Sequence, residues 1–240
     1  MYRRIFATAI LAGFLGGVII TVIQEFTTTP IILHAEQFES KAGDATKKQS
    51  NYRNRMLVLS HSKARDGAKN TLKTLHQKKW WERTFFTTIT NIITGIGFSL
   101  ILVACFSLSK TSINGRTGVI WGVAGFSVVS LAPSLGLPPE VPGALSAELV
   151  SRQGWWFFCV VATATGLWLL VFQKYIVWVV AGITLIVLPH VVGAPKSALF
   201  GSNVPAELAS HFAAASLVTA AIFWSLLGWF SGTFWRSFEK

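Results

Sequence analysis

IFATAILAGFLGGVIITVIQ, residues Ile5–Gln24, contains no Asp, Glu, Lys or Arg. A helix of about 20 apolar residues spans a ~30 Å hydrocarbon layer. Windows of similar length without charged residues recur along the chain: Thr84–Ser109, Thr117–Pro139, Gln153–Gln173, Tyr175–Pro195 and Leu208–Trp235. Only 13% of the 240 residues are charged, where a soluble domain carries about a quarter. The sequence therefore predicts an all-α polytopic membrane protein with about six transmembrane helices.

These windows divide the chain into three regions. We expect residues 1–29 to form the first transmembrane helix, residues 30–83 a basic polar loop outside the membrane, and residues 84–240 a five-helix transmembrane bundle. The loop has few apolar residues, so partial disorder or a helix lying on the membrane surface would both suit it. The connection between Phe172 and Tyr175 is so short that one broken segment is an alternative to spans four and five.

Two proline-rich loops interrupt the bundle at 133–148 and 189–207, because proline cannot continue a helix interior. LAPSLGLP (Leu131–Pro138) and LPHVVGAP (Leu188–Pro195) share L-x-x-x-x-G-x-P, and AELVSR (Ala147–Arg152) matches AELASH (Ala206–His211). The matches predict parallel hairpin repeats, an arrangement found in transport folds, although chance similarity in Ala/Leu-rich sequence is the alternative. The residues that shape these loops are Pro133, Gly136, Pro138, Pro139, Pro142, Gly193 and Pro195.

Three spans carry glycines spaced as G-x-x-x-G, which lets another helix approach closely. One such pair is weak evidence, but three together predict a compact bundle. The glycines are Gly13 and Gly17, Gly118 and Gly122, and Gly228 and Gly232.

An even number of crossings places the termini and the loops after spans two and four on one side. The other side then receives all five histidines and nine of the ten acidic residues, with Glu239 the exception. The short segments on the terminal side carry seven Lys/Arg against two on the other side, so the positive-inside rule places both termini in the cytoplasm. The first loop, with twelve Lys/Arg, opposes this orientation, but long loops translocate with less regard to charge.

Glu207 and His211 are four residues apart, so on a helix they share one face. Imidazole nitrogen with carboxylate oxygen suits divalent cobalt, nickel or zinc. The alternative is an intrahelical pair that reduces polarity at the membrane edge. Glu148 and Arg152 have the same spacing in the matching hairpin, where it predicts a salt bridge.

His190 lies at the end of a span and Glu140 lies between prolines. His190 could instead be an interfacial histidine, and Glu140 could merely solvate its loop. The candidate metal ligands are His190, Glu207, His211, Glu140 and Glu148.

Neither a catalytic motif nor a nucleotide-binding motif occurs in the chain: H-E-x-x-H, G-x-S-x-G and G-x-x-x-x-G-K-[ST] are all missing. We therefore do not expect an enzyme, a tightly bound cofactor or ATP hydrolysis by this chain. Cys105 and Cys159 lie in different spans and suit small apolar fillers. The net charge of +11 sits largely in the first loop, which favours a bilayer surface over nucleic acid as its partner.

The motifs LAPSLGLPPEVPG, RQGWW, LPH-VGAP and VPAELASHF resemble the membrane family of proposed cobalt transporter subunits called CbtA. YRRIFATAILAGFLGG at the N-terminus and WERT (Trp81–Thr84) are similar as well. The resemblance implies an inner-membrane permease subunit in bacteria that moves Co²⁺ and is linked to cobalamin metabolism. It also implies a small CbtB-like partner with one span and a histidine-rich tail, but no ligand set.

We therefore expect a subunit of a divalent-metal transporter that captures its cation with glutamate and histidine on the non-cytoplasmic face. The alternative is a non-transporting membrane scaffold or assembly partner of another membrane protein. A homo-oligomer is compatible with either function.

Overall fold

The computed structural model describes residues 2–38, 66–109, 111–197 and 204–239, with backbone alone for 66–79. Residues 39–65 of the predicted polar loop and 198–203 of the second proline-rich loop lie outside these ranges. The helices are α1 (Tyr2–Phe26), α2 (28–38), α3 (Asp66–Leu108), α4 (Gly115–Phe126), α5 (Ala132–Ser134), α6 (Leu149–Phe172), α7 (Ile176–Val192) and α8 (Ala206–Ser237). A π-helical turn, Ser127–Leu131, joins α4 to α5. The described residues contain no β-strand, so the predicted all-α fold is confirmed.

Five segments are long and apolar enough to cross a membrane: Tyr2–Phe26, Trp80–Leu108, Gly115–Ser134, Leu149–Phe172 and Ala206–Ser237. α7 is equally apolar but has 17 residues, at the lower limit for a spanning helix. A protein with about six transmembrane helices, as predicted, fits this set. The second span continues a helix that begins inside the predicted polar loop, at Asp66.

α6 and α7 are separate helices that fold back on each other. α6 ends at Phe172, Gln173 adopts an extended conformation, and α7 begins at Ile176. A Cβ atom added to Gly166 would lie 2.6 Å from the carbonyl oxygen of Gly182, so these two backbones pack directly together. The alternative of one broken segment is therefore wrong.

Glycines also bring α1 against α3. A Cβ atom at Gly17 would lie 2.6 Å from the Cα atom of Ile92, and one at Gly13 would overlap the backbone of Ile96. Between these helices Asn91 donates hydrogen bonds to Thr21 Oγ1 at 2.9 Å and to Gln24 Oε1 at 2.6 Å. Close backbone contact and polar bonds together join the first two spans.

α4 packs against α8, its most distant neighbour in sequence. A Cβ atom at Gly118 would overlap the carbonyl oxygen of Gly228, and one at Gly122 would overlap that of Trp224. Gly232 lies in the same way against the backbone of Asn114. The adjoining core contains buried side chains from α3, α8 and the α3–α4 loop: Leu102, Val103, Phe106, Ile113, Trp224, Leu227 and Trp235.

The closest helix pairs are thus α1 with α3, α4 with α8, and α6 with α7. Three equivalent hairpins would instead pair the third span with α6, and α7 with α8. In the described part of the chain, α6 approaches the third span within 8 Å between Cα atoms only at its π-helical turn and α5, and α7 does not approach α8 that closely. The glycine contacts thus pair the helices differently from the predicted hairpins. The parallel repeat remains a prediction from sequence.

The two ends of the bundle differ in what they bring together. At one end the Arg4 guanidinium donates to the Trp235 carbonyl oxygen and pairs with Glu239 at 3.5 Å, so the two termini are adjacent. At the other end Ala35, Val141 and Val204, one from each of three separate loop regions, form a buried cluster. The termini therefore lie at one end of the bundle and the loop cluster at the other; that these two ends face opposite sides of a membrane remains a prediction.

Candidate functional site

The cluster of Ala35, Val141 and Val204 is the structural centre of the end opposite the termini. All three side chains are at most 4% exposed. Leu208 and Phe212, from the first two turns of α8, pack against the cluster. Removal of this apolar surface from water stabilises the approach of three segments that are far apart in sequence.

Glu207 and His211 lie beside that cluster on the exposed face of α8. Each directly precedes a residue packed in the cluster, Leu208 or Phe212, and successive helical residues point about 100° apart. The spacing that places Leu208 and Phe212 inward therefore leaves the carboxylate and imidazole accessible to a hydrated ion.

His190 occupies the last turn of α7, where its ring contacts Trp155 edge-on with the ring centroids 6.0 Å apart. The indole N–H of Trp155 donates to the carbonyl oxygen of Pro189 at 3.2 Å, which fixes this helix end against α6. His190 Nε2 is buried and has no hydrogen-bond partner among the described residues. Gly193 follows with φ +84°, a left-handed conformation that favours glycine and ends the helix.

Glu140 lies in the proline-rich loop and is paired with Arg152. Arg152 Nη2 lies 2.9 Å from Glu140 Oε2, and Ser146 donates a short hydrogen bond to the same oxygen. The guanidinium compensates the carboxylate charge, which weakens the case for Glu140 as a ligand.

Glu148 accepts a hydrogen bond from Ser151 at 2.9 Å. The predicted Glu148–Arg152 salt bridge is therefore wrong, because the partner of Arg152 is Glu140. The physical reason is that α6 begins at Leu149, so Glu148 has φ −54° and ψ 135° and lies outside the helix. A spacing of four aligns two side chains only when both belong to the helix.

A cleft of about 410 Å³ opens above the Glu140–Arg152 pair. One wall is the π-helical turn, in which the Ala132 N–H donates to the Ser127 carbonyl oxygen five residues earlier. Pro133 follows, and its ring would clash with the carbonyl of a regular α-helical turn, so the wider π turn makes room for it. The cleft is lined by Val129, Ser130, Pro133, Ser134, Leu137, Pro138, Pro139, Glu140, Leu149, Arg152, Gln153, Trp156, Ser216, Leu217 and Ala220.

The candidate ligands do not form one compact cluster. Within the residues that the structure describes, no three His, Cys, Asp or Glu side chains lie close enough together to hold a metal ion. Glu140 faces Arg152, His190 faces Trp155, and Glu207 and His211 are exposed. The metal-ligand set remains a prediction.

Sequence reasoning missed several polar contacts at this end of the molecule. Thr84 donates to Glu25 Oε1 at 2.7 Å, and Arg83 pairs with Glu36 at 2.9 Å. It also missed the cleft, since Pro133 indicates a helix break but not which helices border it. The polar residues Asn91 and Gln24, each inside an apolar window, were the available signals for the α1–α3 bonds.

Comparison with known proteins identifies a family. No curated protein and no solved structure matches the chain. The model of the family described as "Probable cobalt transporter subunit (CbtA)" matches residues 2–236, nearly the whole sequence. The chain therefore belongs to the CbtA family, described as probable cobalt transporter subunits.

Proposed function

We propose that this membrane subunit captures a partly hydrated divalent cation, Co²⁺ by family, at the end where the three loop regions meet. Glu207 and His211 supply the first ligands and His190 a later one. The observation that carries the proposal is the packing of Leu208 and Phe212 into the loop cluster, which leaves Glu207 and His211 exposed beside it. Carboxylate oxygen and imidazole nitrogen together suit a borderline divalent metal.

The two exposed residues leave coordination positions for water, so the ion keeps part of its hydration shell at capture. Glu148 contributes negative potential near the entrance rather than a primary ligand, because it already accepts a hydrogen bond from Ser151. Glu140 takes no part in capture, because Arg152 compensates its charge. His190 Nε2, buried without a partner, offers an imidazole nitrogen to an ion that has shed water.

We place this face on the non-cytoplasmic side of the bacterial inner membrane, with both termini in the cytoplasm. The short segments on the terminal side carry seven Lys/Arg, as the positive-inside rule requires. A small CbtB-like subunit with one span and a histidine-rich tail is the proposed partner in cation transport. Since the sequence has no P-loop, energy comes from an ion gradient, a partner or mass action.

The test is cobalt accumulation in cells that express the chain with its partner. Glu207→Gln with His211→Ala removes both exposed ligands, and we expect uptake to fall to the level of cells without the chain. Membrane abundance of the variant is measured in parallel, because both residues are exposed and their loss should leave folding intact.

The control is Glu82→Gln, which removes an exposed carboxylate of α3 outside the proposed ligand set. This control should keep its uptake. Full uptake in the Glu207/His211 variant would remove the proposed site. Wild-type protein that moves no metal but retains a second membrane subunit would instead support the scaffold function.

A further inference from the structure

We propose that the cleft above Glu140 and Arg152 binds the headgroup of an ethanolamine phospholipid. The inference concerns a part of the molecule that cation capture does not use. It rests on the position of the cleft at the start of α6 and on the ion pair that lines it.

The cleft opens between the start of α6 and α8, where the headgroup region of the bilayer is expected. Leu149 and Trp156 of α6 line it and are 62% and 38% exposed. Tryptophan is enriched at membrane–water interfaces because its ring is apolar and its N–H is polar. Leu217 of α8 completes an apolar wall against which acyl chains can lie.

The floor of the cleft carries one positive and one negative group with unused bonding capacity. The side chains of Arg152 and Glu140 line the cleft and are 28% and 29% exposed, so a ligand can reach both. Both bonds to the Glu140 carboxylate are made to Oε2, so Oε1 is left without one among the described residues. Hydrogen bonds that involve charged groups are stronger than those between neutral groups, so a ligand that meets both side chains gains from each.

The charges select a zwitterion. A free cation at Glu140 would be repelled by the guanidinium 2.9 Å away, and a free anion at Arg152 would be repelled by the carboxylate. An ethanolamine phospholipid satisfies both groups, since its phosphate accepts from Arg152 and its ammonium donates to Glu140. A choline headgroup has no N–H to donate, and a glycerol headgroup has no positive charge.

The test uses the full chain, purified after equilibration with equal amounts of ethanolamine, choline and glycerol phospholipids of the same acyl chains. Retained lipid is identified by native mass spectrometry. We expect the ethanolamine lipid to be enriched about tenfold over the choline lipid, the factor expected from one charge-assisted hydrogen bond. Glu140→Gln should reduce that ratio towards one, because the amide does not attract an ammonium group.

A second variant, Leu217→Trp, fills the cleft without touching the ion pair and should lower retention of every phospholipid. It keeps the test decisive if Glu140→Gln folds poorly with Arg152 unpaired. The matched control is Glu36→Gln, which breaks the 2.9 Å pair with Arg83 outside the cleft and should leave the lipid ratio unchanged.

Equal retention of ethanolamine and choline lipids by the wild type would overturn the proposal. So would an enrichment that survives Glu140→Gln, or undiminished phospholipid retention in Leu217→Trp. Retention of the glycerol lipid alone would show attraction of an anionic lipid to the basic surface instead.

Discussion

The guanidinium carbon of Arg4 lies 3.8 Å from the centre of the Trp235 ring, and the same guanidinium donates two hydrogen bonds to the Trp235 carbonyl oxygen, at 2.9 and 2.7 Å. One side chain thus joins the start of α1 to the end of α8. Because the last carbonyls of a helix have no intrahelical donor, Arg4 also satisfies an acceptor that would otherwise need water.

Arg4→Ala should therefore destabilise the protein by about 2 kcal/mol, since it removes charge-assisted hydrogen bonds and a cation–π contact. Thermal unfolding in detergent measures the change. Arg3→Ala removes an equal charge from an exposed neighbour and should have little effect. Equal unfolding temperatures for the two variants would contradict a role for Arg4 in joining the termini.

The contact between α4 and α8 depends on the lack of a side chain at Gly118. Gly118→Ala places a methyl group on the Gly228 carbonyl oxygen, so the helices must separate, at a cost of about 1–3 kcal/mol. Gly97→Ala is the matched control, because a Cβ atom at Gly97 meets nothing within 4 Å and alanine is the better helix former. We expect a lower unfolding temperature for Gly118→Ala and an unchanged or higher one for Gly97→Ala; the reverse order would show that α4 and α8 are not in close contact.

The hydrogen bonds of Asn91 join α1 to α3 within the apolar part of the bundle. Asn91→Leu removes both, and since interhelical hydrogen bonds in membranes average about 0.6 kcal/mol, we expect a loss of about 1 kcal/mol. Thr90→Val, next to it, breaks one bond to the carbonyl oxygen of Phe86 in the same helix and should cost less. Unfolding in a denaturant series separates the two variants, and an Asn91→Leu protein as stable as the wild type would mean that these bonds contribute nothing net.

The termini lie at one end of the bundle and the loop cluster at the other. This arrangement predicts which introduced cysteine thiols face the same compartment. In a chain without Cys105 and Cys159, Ser146→Cys and Ser210→Cys should react with an impermeant maleimide from one side of the membrane, and Ser237→Cys from the other. All three serines are exposed. Ser146 and Ser210 belong to the loop end and Ser237 to the end that holds both termini. Labelling of residues 146 and 210 from opposite sides would remove the common capture face.

Local sequence determined the helices. Charge-free windows are long enough to span a bilayer whatever their neighbours do, so the all-α class and a count of about six spans could be predicted without tertiary information. Glycine spacing likewise indicated which faces of α1, α4 and α8 allow close approach. It did not indicate Gly166 and Gly182, because a contact between single glycines on different helices has no spacing to detect.

Tertiary structure decided the partners. The i, i+4 rule paired Arg152 with Glu148, but α6 begins one residue after Glu148, and the chain fold brings Glu140 from the proline-rich loop to the guanidinium instead. The cleft beside that pair forms where α5, α6, α8 and the π-helical turn come together. No local sequence pattern encodes this meeting of distant segments. Residue type and spacing determine how a segment meets the bilayer, whereas contacts between distant segments depend on the packing of the whole bundle.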